Sequence, residues 1–242
     1  MTELIRTEGR LLLRDPASLF WAIGFPLVLL VIVGSVPPFR QPQAGLGGQR
    51  IIDLYLPILV VFGLAITTVN AFAVTIARYR ERGVLRRLAV TPLPPYKLLV
   101  ARVVLSVATQ AVALVLLLSV GVALGIALPG QPVGYLAAFV LGLAALLSIG
   151  MLVAAVAPTA AAGNALGTTL FFPLMFFAGL WVPVPAMPAL LRVVAELTPA
   201  GAATQAMREA ALGHWPNPAY LLVMAGWAAA GWVLAVMLFR RG

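Results

Sequence analysis

The most charged stretch of the chain is residues 78–98 (RYRERGVLRRLAVTPLPPYKL), which separates two long apolar runs. Within this stretch, Val84, Leu85 and Leu88 share one face of a short helix, with arginines on its flanks. A partner protein that binds the apolar face would move both neighbouring runs together. Alternatively, the stretch is a basic anchor, in which each Lys or Arg near an anionic lipid surface contributes about 1 kcal/mol. Composition alone favours neither interpretation.

Polar side chains inside the apolar runs form a second group of interest. An unpartnered polar group is costly in hydrocarbon, so such residues usually face protein or a cavity. The candidates are Thr67, Thr68, Asn70, Gln110, Asn164, Thr168 and Thr169. They indicate either a path for a substrate or ordinary hydrogen bonding between helices, and both interpretations remain open at this stage.

Residues that support catalysis or metal binding are sparse. The chain has no cysteine, and its single histidine, His214, has no second ligand at metal-binding spacing. Its one lysine, Lys97, lies in Pro-Tyr-Lys-Leu, so no G-x-x-x-x-G-K phosphate loop exists. Glu196 and Glu209 are isolated in the sequence. We therefore expect no catalytic residue, no metal site and no cofactor in this chain.

Membrane-spanning helices must position these residues. The 242 residues are 62% hydrophobic and 10% charged, whereas soluble domains are roughly 45–50% apolar and about 25% charged. Because a spanning helix needs about 20 mostly apolar residues, the pattern predicts an all-α, polytopic protein with six transmembrane helices in a single domain, residues 1–242. The predicted spans are 18–36, 51–77, 99–128, 133–157, 164–181 and 219–239.

Two further segments lie outside the predicted spans. Residues 1–16 are predicted to form an amphipathic helix that lies in the membrane interface and ends at Pro16. Residues 182–216 are too polar and too often broken by proline to span a bilayer. They are predicted to form two short helices, 189–197 and 202–212, separated by Thr198 and Pro199.

The distribution of basic residues predicts the orientation. Residues 1–17, 78–102 and 240–241 hold twelve Lys and Arg. The remaining four are Arg40, Arg50, Arg192 and Arg208. Because cytoplasmic loops are enriched in Lys and Arg, we expect both termini in the cytoplasm. The formal net charge of +9 then reflects membrane topology, and we expect no nucleic-acid partner.

The charged stretch also carries a family resemblance. Residues 80–93 read R-E-R-G-V-L-R-R-L-A-V-T-P-L. This segment resembles the signature R-E-x-G-x-L-x-x-L-x-x-T-P-L, which joins the second and third of six spans in type-2 ABC transporter permeases, the daunorubicin-resistance permeases among them. Arg86 and Arg87 stand where an acidic residue is often found. The interfacial helix and an extracellular, re-entrant helical segment at 182–216 extend the resemblance over nearly the whole chain.

The resemblance implies the membrane subunit of a bacterial ABC exporter in the cytoplasmic (inner) membrane. Two permease subunits, expected to be a homodimer, would bind two copies of an ABC ATP-binding subunit, which would hold ATP and Mg. The residues implied in coupling to that subunit are Glu81, Gly83, Leu85, Arg86, Arg87 and Leu88. Arg10 and Arg14 of the interfacial helix would frame the same docking surface.

The resemblance also implies a substrate path, since the second and fifth spans of two subunits line it in similar exporters. The implied path residues are Thr67, Asn70, Thr168, Phe172 and Phe176. No charged residue lies deep in a predicted span, which disfavours an ion-coupled carrier and fits a hydrophobic or amphipathic cargo, drug-like or lipid-like, as in multidrug resistance. The alternative is a stand-alone membrane scaffold or lipid-interacting module without ATP coupling.

Overall fold

A computed structural model describes residues 2–46, 48–83 and 96–241. Within these ranges the chain is mostly helical and forms no β-strand, and six helices are long and apolar enough to span a membrane. The predicted all-α, six-span class is therefore confirmed. The helices are α1 (Thr2–Leu13), α2 (Pro16–Ser35), α3 (Ile51–Glu81), α4 (Tyr96–Ala123), α5 (Pro132–Val156), α6 (Ala160–Ala178), α7 (Ala189–Leu197), α8 (Pro199–Ala211) and α9 (Pro218–Arg241).

The spans alternate in direction, so the bundle has two distinct ends. The α1 end carries α1, the last turns of α3 and α5, and the first turns of α2, α4 and α6. At the other end, which we call the α8 end, the backbone N–H groups of Gly130 and Gln131 donate to the carbonyls of Ala211 and Ala210 at 3.3 and 2.9 Å. These bonds tie the start of α5 to the end of α8.

Helices α3 and α5 form the buried centre of the bundle. Their most apolar stretches are 72% and 67% buried, against 28% or less for α2, α4, α6 and α9. The centre is tightly packed because glycines let backbones approach. A Cβ on Gly167 of α6 would lie 3.0 Å from the carbonyl oxygen of Val69 in α3. The outer helices keep apolar side chains exposed, which in a bilayer face lipid or another protein.

Two spans contain a π-helical segment. One is Phe20–Gly24 in α2, and the other is Ile66–Phe72 in α3. Such segments widen the helix by one residue and are often found at functional sites. The segment in α3 carries Thr67 and Asn70, two of the predicted path residues.

Several predicted helix boundaries are wrong by a few residues, each for a local reason. Helix α3 continues past residue 77 to Glu81, since its polar end is still hydrogen-bonded to neighbouring helices. Helix α4 ends at Ala123, before residue 128, because Gly125 adopts a left-handed φ of +82°. Helix α6 begins at Ala160, before residue 164, because the Thr159 side chain accepts a hydrogen bond from the Ala162 N–H.

The segment between α6 and α9 forms the two predicted short helices, packed back onto the bundle. Helix α6 ends where Gly179 adopts a φ of +96°. The second short helix begins at Pro199, not at residue 202, because the Thr198 side chain accepts from the Gly201 N–H and proline fits the first helical position. Helix α8 is almost entirely buried and packs against α5, α9, α6 and α3.

Candidate functional site

A cavity of about 770 Å³ lies among α2, α3, α4 and α6. Its volume is within the range of small-molecule sites, roughly 300–1,000 Å³. Three of its lining side chains, Trp21, Phe172 and Trp181, are 47%, 55% and 51% exposed. The cavity is therefore open along one side of a single chain.

The lining of the cavity changes from charged to aromatic along the bundle. At the α1 end it carries Asp15, Ser18, Thr75, Arg78 and Arg102. In the middle it carries hydroxyl and amide side chains, namely Thr67, Asn70, Ser106, Thr109, Asn164 and Thr168. Toward the α8 end the lining includes Tyr55, Phe62, Phe172, Leu180 and Trp181. A molecule with one polar end and one apolar body matches this order.

One wall of the cavity is a continuous row of aromatic rings, which we call the aromatic row. It consists of Trp21, Phe25, Phe62, Phe171, Phe172 and Trp181. The centroids of neighbouring rings are 5.1 to 6.2 Å apart, within the range for favourable aromatic pairs. The row passes from α2 through α3 to α6, and Trp181, just after α6, stacks on Phe172. It gives the cavity a continuous apolar surface.

The polar side chains in the middle of the cavity also bond to one another. The Gln110 Nε2 donates to the Thr67 Oγ1 at 2.6 Å, which joins α4 to α3. The Asn70 Nδ2 donates to the Thr168 Oγ1 at 3.2 Å, which joins α3 to α6. Of the two interpretations left open by the sequence, hydrogen bonding between helices is therefore observed at Thr67, Asn70 and Thr168, and a substrate path stays a prediction. These residues hold helices together and line the cavity as well.

A cluster of buried polar side chains lies at the α1 end of the bundle. Glu8 of α1 is only 5% exposed. Its Oε1 accepts from the Tyr79 hydroxyl of α3 at 2.6 Å, and its Oε2 lies 4.0 Å from the Arg102 Nη1 of α4. The Arg102 Nη2 in turn donates to the Thr75 Oγ1 at 3.2 Å. Helix α1 is therefore fixed to α3 and α4, the two spans that are joined by residues 82–95 of the charged stretch.

Hydrogen bonds tie the end of α3, where the charged connection begins, to the neighbouring spans. The Glu81 Oε2 accepts from the Ala160 N–H, at the first residue of α6, at 3.0 Å. The Arg80 Nη1 donates to the carbonyls of Ala155 and Ala157 at the end of α5, at 3.1 and 3.0 Å. Gly83 follows with a left-handed φ of +67°. A displacement of the connection would therefore reach α5 and α6 directly.

Comparison with known protein families identifies the family of this chain. A model of the ABC-2 type transporter matches residues 2–212, which is most of the chain. The chain belongs to the ABC-2 type transporter family. Proteins of this family are transport subunits rather than catalysts, and membership implies association with an ATP-binding subunit. Comparison with curated proteins gave no match.

The predicted path residues of the ABC-2 permease mostly meet in one place. Thr67, Asn70, Thr168 and Phe172 all line the cavity. Phe176 is not among its lining residues, because the turn after α6 covers it with a separate apolar cluster. That cluster consists of Val184, Met187 and Ala195. The role of these side chains in transport stays a prediction.

The predicted coupling residues of the permease divide into two groups. Leu85, Arg86, Arg87 and Leu88 lie outside the described residues. Glu81 and Gly83 lie at the α1 end, in the geometry given above. The two residues predicted to frame the docking surface, Arg10 and Arg14, are exposed at the same end. Their contacts with a partner stay predictions.

Sequence reasoning missed the buried cluster of the permease. Glu8 lies between Arg6 and Arg10 in an amphipathic helix, a pattern that predicts exposure to head groups. Tyr79 and Arg102 are far from Glu8 in the sequence, and they become its neighbours only when α1 packs against α3 and α4. The one available signal is the position of Arg102 near the start of a long apolar helix, where a charged side chain needs a partner.

Proposed function

We propose that the permease is the membrane subunit of an ATP-driven exporter. It moves a hydrophobic or amphipathic molecule, drug-like or lipid-like, out of the cytoplasm or the inner leaflet of a bacterial cytoplasmic membrane. The observation that carries this proposal is the position of the cavity. The cavity begins at the α1 end, where residues 81–83 lead into residues 84–95, and it extends along the spans to the α8 end.

The open side of the cavity supports a dimer. Trp21, Phe172 and Trp181 expose large apolar rings there in a single chain, and in a bilayer such a surface is covered by lipid or by another protein. A second copy placed on this side would enclose a path between the two chains. Each copy would bind one ATP-binding subunit, giving two per homodimer, and ATP and Mg would reside on those subunits.

The hydrogen bonds at the end of α3 give this assembly a mechanism. Closure of the ATP-binding subunits would displace the connection at residues 84–95. Glu81 would pass the movement to the first turn of α6 through the Ala160 N–H, and Arg80 would pass it to the end of α5. Because α6 carries Thr168 and Phe172, this movement would change the shape of the cavity.

The proposal requires the α1 end to face the cytoplasm, as the positive-inside rule indicates. The chain has no cysteine, so single cysteines can report the topology. In right-side-out membrane vesicles, a membrane-impermeant maleimide should label Gln41→Cys at the α8 end. It should label Arg82→Cys at the α1 end only after the vesicles are permeabilised. The reverse pattern would overturn the orientation.

The ATP-driven function is tested by purification. The permease purified alone should hydrolyse no ATP, because its sequence has no phosphate loop. Gentle extraction from its native membrane should yield a complex with a phosphate-loop ATPase, and that complex should hydrolyse ATP. Chemical crosslinking in the membrane before extraction controls for dissociation in detergent. Repeated recovery of the crosslinked permease without a nucleotide-binding subunit would favour the stand-alone scaffold.

A further inference from the structure

Two arginines line the α1 end of the cavity from different spans. Arg78 of α3 is exposed, and the Arg102 side chain of α4 is 11% exposed. Ser18 and Thr75 also line this end of the cavity, and the Thr75 hydroxyl accepts a hydrogen bond from Arg102. The aromatic row begins near this point with Trp21 and continues away from it. The two arginines and the aromatic row therefore line adjoining parts of one cavity.

Most side-chain N–H donors of these two arginines have no acceptor among the described residues. A guanidinium group has five N–H donors. In Arg102, the Nη2 donates to Thr75, the Nη1 is too far from Glu8 for a hydrogen bond, and the buried Nε has no partner in that part of the chain. The Arg78 side chain forms no hydrogen bond or salt bridge with another described residue. The cavity therefore offers guanidinium donors at this end that are not paired with an acceptor among the described residues.

The two nearby carboxylates lie close to these arginines, but no hydrogen bond joins them to a guanidinium group within the described residues. Glu8 accepts from the Tyr79 hydroxyl through Oε1, and its buried Oε2 lies 4.0 Å from the Arg102 Nη1 without a hydrogen bond. Asp15 accepts from the Ser18 N–H and Oγ at 3.1 and 2.7 Å, where it caps α2. The hydrogen bonds from Ser18 lower the pKa of Asp15, so this carboxylate is an ion at neutral pH. Both acids balance charge, while the arginine donors stay available.

We propose that Arg78 and Arg102 bind the acidic head group of an amphipathic substrate whose apolar body lies along the aromatic row. The ligand class is a single-headed organic anion, a carboxylate or phosphate ester, small enough for a cavity of about 770 Å³. Arginine suits this role because its planar donors match the oxygens of carboxylate and phosphate. This inference rests on the proposed exporter function and specifies the substrate class of the same cavity.

The test measures equilibrium binding to the permease in nanodiscs of phosphatidylcholine, which adds no anionic lipid. The probes are a dansyl-labelled fatty acid and its methyl ester, which share the apolar body and differ in head-group charge. Empty nanodiscs correct for partitioning into lipid. The acid should bind about tenfold more tightly than the ester, a difference of about 1.4 kcal/mol, because only the acid offers the arginines a charged acceptor.

Substitutions assign this preference to the two arginines. Arg78→Gln should abolish the preference for the acid, and Arg102→Gln should do the same if the protein folds without the contact to Glu8. Arg82→Gln is the matched control, because Arg82 is exposed one helical turn beyond Arg78 and does not line the cavity. It should leave the preference unchanged.

Two results would overturn the inference: equal binding of acid and ester, or an undiminished acid preference in Arg78→Gln. Because Arg78 is exposed, its replacement should not prevent folding, and the test holds even if Arg102→Gln misfolds. The measurement uses no ATP and no partner subunit. Failure here with a working ATPase complex would reject only the substrate class, whereas failure of the complex would reject the exporter.

Discussion

Replacing Gly150 by alanine should prevent the permease from folding stably. A Cβ at this position of α5 would overlap the carbonyl oxygen of Thr68 in the π-helical segment of α3. The obstacle is backbone, so no side-chain rotation relieves it, and the two central helices would have to separate. Overpacking a core typically costs about 1–3 kcal/mol, and we expect this backbone contact to exceed the upper value.

The matched control for this change is Gly226→Ala in α9, where an added Cβ meets no atom within 4 Å. Alanine also has the higher helix propensity, so the control should be as stable as the wild type. Size-exclusion profiles and thermal unfolding in the same detergent compare the two variants. Equal stability would mean that α3 and α5 do not touch at this point.

Leu85→Asp or Leu88→Asp should uncouple ATP hydrolysis from transport. Residues 85 and 88 lie outside the described part of the chain, and the expectation follows from the apolar helix face that the sequence predicts for them. An acidic group there would have to be desolvated to enter an apolar docking site, which is unfavourable. We expect transport to fall to background while the complex continues to hydrolyse ATP at its basal rate.

Two further variants distinguish the effect of positive charge on coupling from the effect of apolar contact. Leu85→Asn disrupts the apolar face without adding charge, and it should also uncouple the complex. Arg86→Gln combined with Arg87→Gln removes positive charge and keeps both leucines. Full transport in the leucine variants, with loss in the arginine variant, would favour the alternative of a basic lipid anchor. Transport assays in proteoliposomes with the intact complex distinguish these outcomes.

The number and approximate positions of the spans could be predicted from the sequence, because the transfer of an apolar segment into lipid depends on that segment alone. The helix at residues 2–13 and the two short helices before α9 could be predicted as well, and the interfacial position of the first helix stays a prediction. Their boundaries moved by a few residues where a local group acted, such as Thr159 and Thr198 at helix starts or Gly125 after a helix end. Each of these signals is a local feature of the sequence.

The cavity and its partners could be decided only by the tertiary structure. Thr67, Asn70 and Thr168 are candidates from polarity, but only helix packing brings them to one surface. Phe172 and Phe176 are one turn apart on α6, yet the turn after α6 covers one and leaves the other in the aromatic row. Glu8 meets Tyr79 and Arg102 for the same reason. Hydropathy is a property of each segment, whereas helix rotation and register depend on all neighbouring helices together.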